Sequence, residues 1–224
     1  MSAVVSLDHL GALRDRYLEA QLRGDRRAAR AIVFDEALAG GVSVLDVYEH
    51  VLAAAQREIG RLWQENEVSV AEEHVATAIS NLILAQLFEH ASHAPRNGKR
   101  VLVACVEGEL HEFPARLVAD ALDLAGFQVV FVGANVPTES LLPMIEREKP
   151  DLVALSITMS FHAGSLREAV AAIRHRFGPR LPIAAGGHAL EWGAGIAAEL
   201  GIDVTSRSAA ELVVAMKQRL GVDG

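Results

Sequence analysis

Apolar side chains recur at steps of three and four residues from the start of the chain to about residue 92, which is the spacing of one helix face. In the first such segment they are Leu7, Leu10, Leu13, Tyr17 and Leu18. Alanine is frequent throughout this region, and it is the residue with the highest helix propensity. The pattern therefore predicts an all-helical first part of the chain.

Three breaks divide this helical region, at Gly24-Asp25, Gly40-Gly41 and Asn66-Glu67. Ser43 can cap the third segment, with Asp46 in its first turn, and Ser69 with Glu72 resembles a capping box for the fourth. We therefore predict a four-helix bundle within residues 1–93, its antiparallel helices joined by short turns. The helices are expected near residues 6–22, 25–39, 43–65 and 68–92.

A linker around residues 92–98 leads to a different pattern, in which short β-branched runs alternate with amphipathic helices. The predicted strands are Arg100–Val106, Gln128–Val132, Leu152–Ile157, Pro182–Ala185 and Asp203–Thr205. The helices between and after them are expected near 114–125, 138–148, 164–177, 190–200 and 208–219. This repeat predicts, for residues 98–224, a flavodoxin-like (Rossmann-type) five-stranded parallel sheet with order 2-1-3-4-5.

Composition and charge argue against several classes of function. The chain has 224 residues and a formal net charge of −8, which argues against this chain gripping nucleic acid by itself. It has neither an apolar run of about 20 residues, as a membrane span needs, nor the order of a signal peptide, so a cytoplasmic location is expected. The single cysteine, Cys105, excludes an internal disulfide and a multi-cysteine metal site.

Three segments whose residues could bind a ligand follow the carboxyl ends of predicted strands, which is where ligands bind in such sheets. They are Glu107–Pro114, Ser156-Ile157-Thr158 and Gly186-Gly187-His188. Glu109 stands two residues before His111, so its carboxylate can hold the imidazole Nδ1–H and leave Nε2 to bind a metal. The two glycines remove side chains where the backbone must approach something closely.

Each segment also has an ordinary structural explanation. His111 precedes a helix begun by Pro114, Ser156 is a strand hydroxyl, and the diglycine is a turn. The combination at the carboxyl ends of successive strands is what favours a ligand site.

In these segments the chain resembles the cobalamin-binding domains of methionine synthase, corrinoid methyl carriers and B12 photoreceptors. Their pattern is Asp/Glu-x-His-x-x-Gly, then Ser-x-Leu or Ser-x-Thr, then Gly-Gly. The matching residues here are Glu109, His111, Ser156, Thr158, Gly186 and Gly187, with Pro114 in place of the usual glycine. The resemblance implies that His111 is the lower axial ligand of cobalt, supported by Glu109. It also implies that the dimethylbenzimidazole tail lies beside Ser156, Thr158 and the diglycine.

The helical half carries a second signal. Trp63, Val70 and the pair Glu73-His74 lie around one predicted helix–helix turn. Taken alone, the tryptophan is a core aromatic and the Glu-His pair a solvated stripe. Their spacing resembles the signature of adenosylcobalamin-dependent photoreceptors typified by the CarH family of transcriptional regulators. That resemblance implies that Trp63 packs over the adenosyl group, that Val70 and Glu73 contact it, and that His74 helps subunit contacts.

Two departures from that family shape the expectation. Gln64 follows the tryptophan, where the family has a histidine that captures cobalt after photolysis. The family's regulators also carry an N-terminal helix-turn-helix domain, whereas the bundle pattern here begins near residue 6. With no recognition helix and a negative charge, this chain is expected to signal to a protein partner, such as a transcription regulator or a signalling enzyme, without contacting DNA or membrane itself. A homo-oligomer formed through the bundle is also expected.

The function expected from the resemblance is an adenosylcobalamin-dependent light sensor that is not itself an enzyme. Standalone relatives, the photocobilins, are thought to hold a bilin such as biliverdin beside cobalamin, and His162 and His188 are the candidate contacts for it. Cys105 lies in a predicted buried strand and is a poor attachment point. Two alternatives stay open: a corrinoid methyl carrier of a methyltransferase system, which must expose its cobalt, and a light-independent B12-sensing antirepressor.

Overall fold

The structure, a computed structural model, describes residues 6–192 and 194–222. The chain forms two compact units, one ending at Ala91 and the other beginning at Ser92. The first is helical and the second contains the sheet, and each has its own apolar core.

Four helices build the first unit within the described residues, as predicted. They are α1, Leu7–Leu22; α2, in which Arg26–Ala31 continues into the π-helical segment Ile32–Leu38; α3, in which Val44–Asp46, the π-helical Val47–Ala53 and Ala54–Gln64 follow without a break; and α4, Val70–His90. The two π-helical segments were not predicted, because no glycine or proline marks them.

Side-chain caps fix where these helices begin. The hydroxyl of Ser43 accepts a hydrogen bond from the backbone N–H of Asp46. Ser69 and Glu72 form the predicted capping box, so that α4 begins at Val70. Of the apolar positions predicted for α1, Leu10, Leu13 and Tyr17 are buried, but Leu7 is 72% exposed because it lies in the first turn, at the end of the packed face.

The second unit is a five-stranded parallel sheet in the predicted order, β2-β1-β3-β4-β5. Its strands are β1 Arg100–Val106, β2 Gln128–Val136, β3 Leu152–Ser156, β4 Ile183–Gly186 and β5 Val204–Thr205. Its helices are α5 Glu112–Leu124, α6 Thr138–Glu148, α7 Ala163–Phe177, α8 His188–Trp192, α9 Ala194–Glu199 and α10 Ala209–Leu220.

Two segments differ from the prediction. β2 continues to Val136, four residues beyond the predicted end, because register shifts opposite Ala104 carry its pairing with β1 past Gly133. The helix predicted at 190–200 is instead two short helices, α8 and α9, and α8 begins two residues earlier, at His188. The structure does not describe Gly193, which lies between them.

Helices cover both faces of the sheet. On one face α6 and α7 pack Leu141, Ile145, Leu166 and Ile173 against alternate strand residues such as Leu102. On the other face α5 and α10 pack Leu122 and Met216 against Val101, Val103 and Cys105. The two buried faces explain why the strands are continuously apolar, and they leave the carboxyl ends of the strands as the place where polar side chains collect.

In the part of the chain that the structure describes, no helix is both long and apolar enough to cross a lipid bilayer.

Candidate cofactor site

The loop after β1 is held in place by the end of β2. Asn135 accepts a hydrogen bond from the backbone N–H of Gly108 on its side-chain oxygen, at 2.8 Å. Its own backbone N–H donates to the carbonyl of Glu109, also at 2.8 Å. Asn135 adopts a left-handed backbone (φ 50°), which asparagine tolerates better than most residues. These bonds place Glu109 and His111 at the carboxyl edge of the sheet.

The Glu109 side chain is fully buried and ties two strand ends together. Its Oε1 accepts a hydrogen bond from the backbone N–H of His111 at 2.9 Å and lies 2.5 Å from Nδ1 of the same histidine. Its Oε2 accepts from the backbone N–H groups of Thr158 and Met159, at 2.7 and 3.0 Å. The predicted contact between Glu109 and the His111 ring is therefore confirmed, and the loop after β3 shares the same carboxylate.

Hydrogen bonding dominates the electrostatics of Glu109. Burial opposes its ionisation, but the bonds from the His111 ring and from the backbone N–H groups of His111, Met159 and Thr158 outweigh it and lower the pKa of Glu109 to about 2. The carboxylate is therefore charged at neutral pH. Beside it, burial and the negative charges of Glu109 and Glu112 raise the pKa of the Cys105 thiol to about 12, so that the thiol stays protonated.

This charge determines what the His111 ring can do. A carboxylate accepts but cannot donate, so the Nδ1 of a neutral ring carries its proton toward Glu109 and the lone pair lies on Nε2. The side chain of His111 is 41% exposed, which leaves part of it accessible to a ligand. A neutral His111 ring held in this way directs the Nε2 lone pair away from Glu109, which is the arrangement that a metal-binding histidine needs.

The loop after β3 and the diglycine meet at the same edge. Ser156 pairs with Cys105 of β1 and Gly186 of β4. Gly187 has a φ of 110°, and a Cβ there would lie 2.0 Å from the carbonyl oxygen of Ile157. The predicted close approach is confirmed for Gly187, but its partner is the chain's own backbone. Open space surrounds the Cβ position of Gly186.

The two candidate bilin contacts lie in different surroundings. The ring of His162 packs on the loop after β1, since a Cβ on Gly108 would come within 2.8 Å of it. It also meets the ring of Phe161 edge-on at 4.4 Å. His188 begins α8, and its Nδ1 lies 3.3 Å from a carboxylate oxygen of Glu191. Neither arrangement tests bilin binding, which stays a prediction.

The side chains at this edge have the chemistry to hold a metal-containing macrocycle, and His111 is the residue that would bind its metal. Thr158 Oγ1 is buried and has no hydrogen-bond partner within the described residues, so it can bond a polar group of a ligand. Leu110 and Phe161 are each 71% exposed and offer apolar surface in the adjoining loops. Among the described residues no cluster of three or more histidine, cysteine or carboxylate side chains could hold a metal ion. A metal that is already bound in a macrocycle needs few ligands from the protein, and a single histidine can supply one.

In the helical unit, Trp63, Val70 and Glu73 lie at one end of the α3–α4 pair. Trp63 is in the last turn of α3 and is half-buried, whereas Val70 begins α4 and is 52% exposed. Glu73 lies in the first turn of α4, with its Oε2 2.5 Å from Nδ1 of His74. The side chain of His74 is 73% exposed, which suits the surface role that the resemblance implies for it. The roles of these four residues stay predictions.

Sequence reasoning missed several participants. Met159 acts through its backbone N–H, and Asn135 acts through both its side-chain oxygen and its backbone N–H. Neither belongs to the motifs quoted above. The asparagine two residues before Pro137 is a turn signal that could have been noticed. The predicted end of β2 at Val132 placed Asn135 outside the sheet edge and concealed it.

Comparison with known proteins identifies the family. The B12 binding domain family matches residues 99–215, more than half of the chain, and a second B12 binding domain family matches residues 13–87. The HTH-type transcriptional repressor CarH of Myxococcus xanthus is 31% identical over 157 residues, covering 70% of this chain and 52% of the repressor. The trimethylamine corrinoid protein of Methanosarcina barkeri is 28% identical over 132 residues, covering 57% of this chain and 60% of that protein.

The chain therefore spans between about half and about three fifths of the length of these two curated relatives. Among solved structures, the monomethylamine corrinoid protein of Methanosarcina barkeri superposes with a TM-score of 0.76 at 22% identity, covering 95% of this chain and 99% of that one. This last likeness confirms the fold. The match of the family model to residues 99–215 shows that this chain belongs to the B12 binding domain family.

Proposed function

We propose that this chain is an adenosylcobalamin-dependent light sensor that passes its signal to a protein partner. The observation that supports the proposal is that Trp63 in the last turn of α3 and Val70 and Glu73 in the first turn of α4 flank one helix–helix turn, in a chain that belongs to the B12 binding domain family. An aromatic ring, an exposed apolar side chain and a carboxylate suit an adenosyl group, which has an aromatic base and hydroxyl donors.

Each residue would contribute a defined contact. His111, held by Glu109, would coordinate cobalt from below, and Thr158 Oγ1 would bond a polar group of the cofactor. Trp63 would stack on the adenine and Glu73 would accept hydrogen bonds from the ribose. When bound, adenosylcobalamin would supply a cobalt–carbon bond that visible light breaks.

Signalling would follow from lost contacts. In the dark Trp63 and Glu73 would favour the conformation in which they touch the adenosyl group, and in the light that preference would end. The chain would then redistribute between arrangements of its domains or subunits, with no turnover of a substrate. Since Gln64 stands where the CarH-type photoreceptors have a histidine, the lit state would differ from theirs.

The decisive experiment begins with purified protein loaded in the dark with adenosylcobalamin. Absorption spectra and size-exclusion elution are recorded before and after green light, with methylcobalamin-loaded protein beside it. A rapid spectral change together with a shift in elution supports the sensor. An unchanged elution, with ready methylation of the bound reduced cofactor, would contradict it and favour a methyl carrier. A red or far-red band in protein produced with biliverdin would add the second chromophore.

Trp63→Ala tests the stacking contact, with Trp63→Phe as the matched control. Losing an aromatic contact of about 1 kcal/mol should cut the preference for adenosylcobalamin over methylcobalamin by about 5-fold. The phenylalanine variant should keep most of that preference. Equal preference in the wild type and Trp63→Ala would exclude Trp63 from the upper face.

A corrinoid methyl carrier is the second candidate. The trimethylamine corrinoid protein of Methanosarcina barkeri matches this chain almost as well as the CarH repressor does, at 28% against 31% identity. A carrier must leave its cobalt open to partner enzymes. The two candidates therefore differ in whether Trp63 restricts access to the upper face, which the Trp63→Ala comparison measures.

A further inference from the structure

A continuous series of hydrogen bonds crosses the interior of the helical unit and ends at Glu73. We call it the polar chain, and its members are Tyr17 and Gln21 on α1, Gln56 on α3, and Ser80, Thr77 and Glu73 on α4. The consecutive distances are 3.0 Å from Tyr17 to Ser80, 2.9 Å from Ser80 to Gln21, 2.9 Å from Gln21 to Gln56, 2.7 Å from Gln56 to Thr77 and 2.7 Å from Thr77 to Glu73.

The polar chain becomes less buried towards Glu73. Tyr17 and Ser80 are 0% exposed and Gln21 is 1% exposed, whereas Gln56 and Thr77 are half-buried. Polar groups inside an apolar helix bundle destabilise it unless they are paired, and a paired network specifies one arrangement of its members. The polar chain therefore fixes how side chains from three helices meet.

One backbone carbonyl sets the direction of the bonds. Gln21 Nε2 donates to the carbonyl oxygen of Ala76 at 2.9 Å, and a carbonyl can only accept. The second proton of this NH₂ group is shared between Gln56 Oε1 and Ser80 Oγ. Because Gln56 faces this donor with its oxygen, it turns its NH₂ group towards Thr77. Thr77 accepts that bond, and its single hydroxyl proton is then given to Glu73.

This direction is kept although it leaves an acceptor unpaired. Gln21 Oε1 is buried and has no hydrogen-bond partner among the residues that the structure describes. Rotating the amide by half a turn would move that oxygen to the Ala76 carbonyl, where two acceptors would repel each other. The order of donors and acceptors is thus built into the helical unit, and it delivers a donor to Glu73.

We propose that Gln56 and Thr77 are positioning residues that hold the Glu73 carboxylate for recognition of the upper ligand of the cofactor. The proposal rests on the proposed function, in which Glu73 contacts that ligand. Thr77 bonds Oε1 and the His74 ring faces Oε2, so both oxygens are oriented, and the side chain of Glu73 is only 19% exposed. The ribose hydroxyls of an adenosyl group can donate to an oriented carboxylate, whereas a methyl group cannot.

Thr77→Val tests the proposal, because it keeps the shape of the side chain and removes the hydroxyl. The measured quantity is the ratio of the dissociation constants of methylcobalamin and adenosylcobalamin in the dark. Losing a hydrogen bond to a charged group should lower this ratio by about 10-fold. Thr77→Ser restores the hydroxyl and should bring the ratio to within about 2-fold of the wild type.

Ser80→Ala is the matched control for a merely structural role. Ser80 lies on the same helix and bonds to Tyr17, to Gln21 and, at 3.3 Å, to Gln56 Oε1, but it bonds to neither Thr77 nor Glu73. It should lower the thermal unfolding temperature while leaving the ratio unchanged. If Thr77→Val and Ser80→Ala shift the ratio equally, the polar chain only stabilises the fold and the proposal is overturned.

Two further measurements separate this proposal from the proposed function. If Glu73→Gln abolishes the discrimination between adenosylcobalamin and methylcobalamin and Thr77→Val keeps it, Glu73 recognises the ligand. In that case the positioning proposal alone fails. If the wild type does not discriminate, the ligand contact of Glu73 fails, and nuclear magnetic resonance of the cobalamin-free protein decides the positioning. In those spectra, Thr77→Val should shift the side-chain amide signals of Gln56 and the carboxyl-carbon signal of Glu73. Unchanged signals would overturn the positioning proposal.

Discussion

The two units of this protein hold their key carboxylates by different means. In the sheet unit, Glu109 accepts three backbone N–H groups and faces one imidazole ring, and it is fully buried. In the helical unit, the two bonds of Glu73 go to the side chains of Thr77 and His74. A carboxylate held by the backbone moves only if the strand ends move, whereas one oriented by side chains is released as soon as those side chains change rotamer. Under the proposed function, the sheet unit would fix the cofactor and the helical unit would respond to it.

His111→Ala should have the largest effect, because it removes the nitrogen proposed to coordinate cobalt. We expect cobalamin affinity to fall by about 100-fold, at the upper end of what altered metal surroundings cost. Any cofactor that remains bound should show the absorption spectrum of cobalamin without a histidine ligand. His175→Ala, on the exposed surface of α7, is the control and should bind like the wild type. Identical spectra in the wild type and His111→Ala would exclude the axial role.

Glu109→Gln should have the second-largest effect, lowering cobalamin affinity by about 10-fold or more. The amide cannot accept at both of its ends, so some of the donors that now converge on Glu109 lose their partner. We expect a stability loss on the order of 2 kcal/mol at neutral pH, measured by urea unfolding. Glu107→Gln, which changes an exposed carboxylate of the same loop, should change neither quantity. A similar loss in both variants would show that the charge of the loop matters rather than the contacts of Glu109.

The pH dependence of that difference has a definite sign. The folded protein lowers the pKa of Glu109 from the ordinary 4.5 to about 2, so the ionised form stabilises the fold. This contribution is present in full above about pH 4.5 and is lost as the pH falls through 2. The stability difference between the wild type and Glu109→Gln should therefore be constant near neutrality and shrink in acid. A difference that grows on acidification would contradict the assignment.

The contrast between the units also explains what the sequence could predict. The order of the sheet follows from alternating strands and helices, and the Glu109–His111 contact follows from a two-residue spacing. Both features depend on residues that are close in sequence, so the geometry of the backbone determines them. The polar chain joins Tyr17 to Ser80 across 63 positions. Its members read as isolated polar residues on helices, and only the packing of three helices brings them together.

The same reasoning applies to the missed end of β2. The register shifts opposite Ala104 depend on how two strands pair, and a single strand carries no sign of them. Asn135 became part of the site through that pairing. Long-range pairing, whether of strands or of buried amides, is thus the part of this structure that periodicity and motifs did not reveal.

Gly187→Ala and Gly186→Ala separate the structural role of the diglycine from its role in binding. At Gly187 a methyl group would collide with the Ile157 carbonyl in a left-handed backbone, so we expect a destabilisation of about 2 kcal/mol. At Gly186 the same methyl group meets open space, and stability should change by less than about 0.5 kcal/mol. If the cofactor tail lies there, cobalamin affinity of Gly186→Ala should nevertheless fall. Unchanged affinity would place the tail elsewhere.

Tyr17→Phe should have the smallest effect and tests the contrast between the units directly. It removes one hydroxyl at the far end of the polar chain, where the bond to Ser80 joins two side chains. Ser80 keeps Gln21 as a partner, so no backbone group loses its bond, and the expected cost in unfolding free energy is about 1 kcal/mol. The preference for adenosylcobalamin should not change, because the bonds among Gln56, Thr77 and Glu73 remain. A cost as large as that of Glu109→Gln would mean that the side-chain network is as rigid as the backbone-held one, and the helical unit would then lack the adjustable contact that a sensor needs.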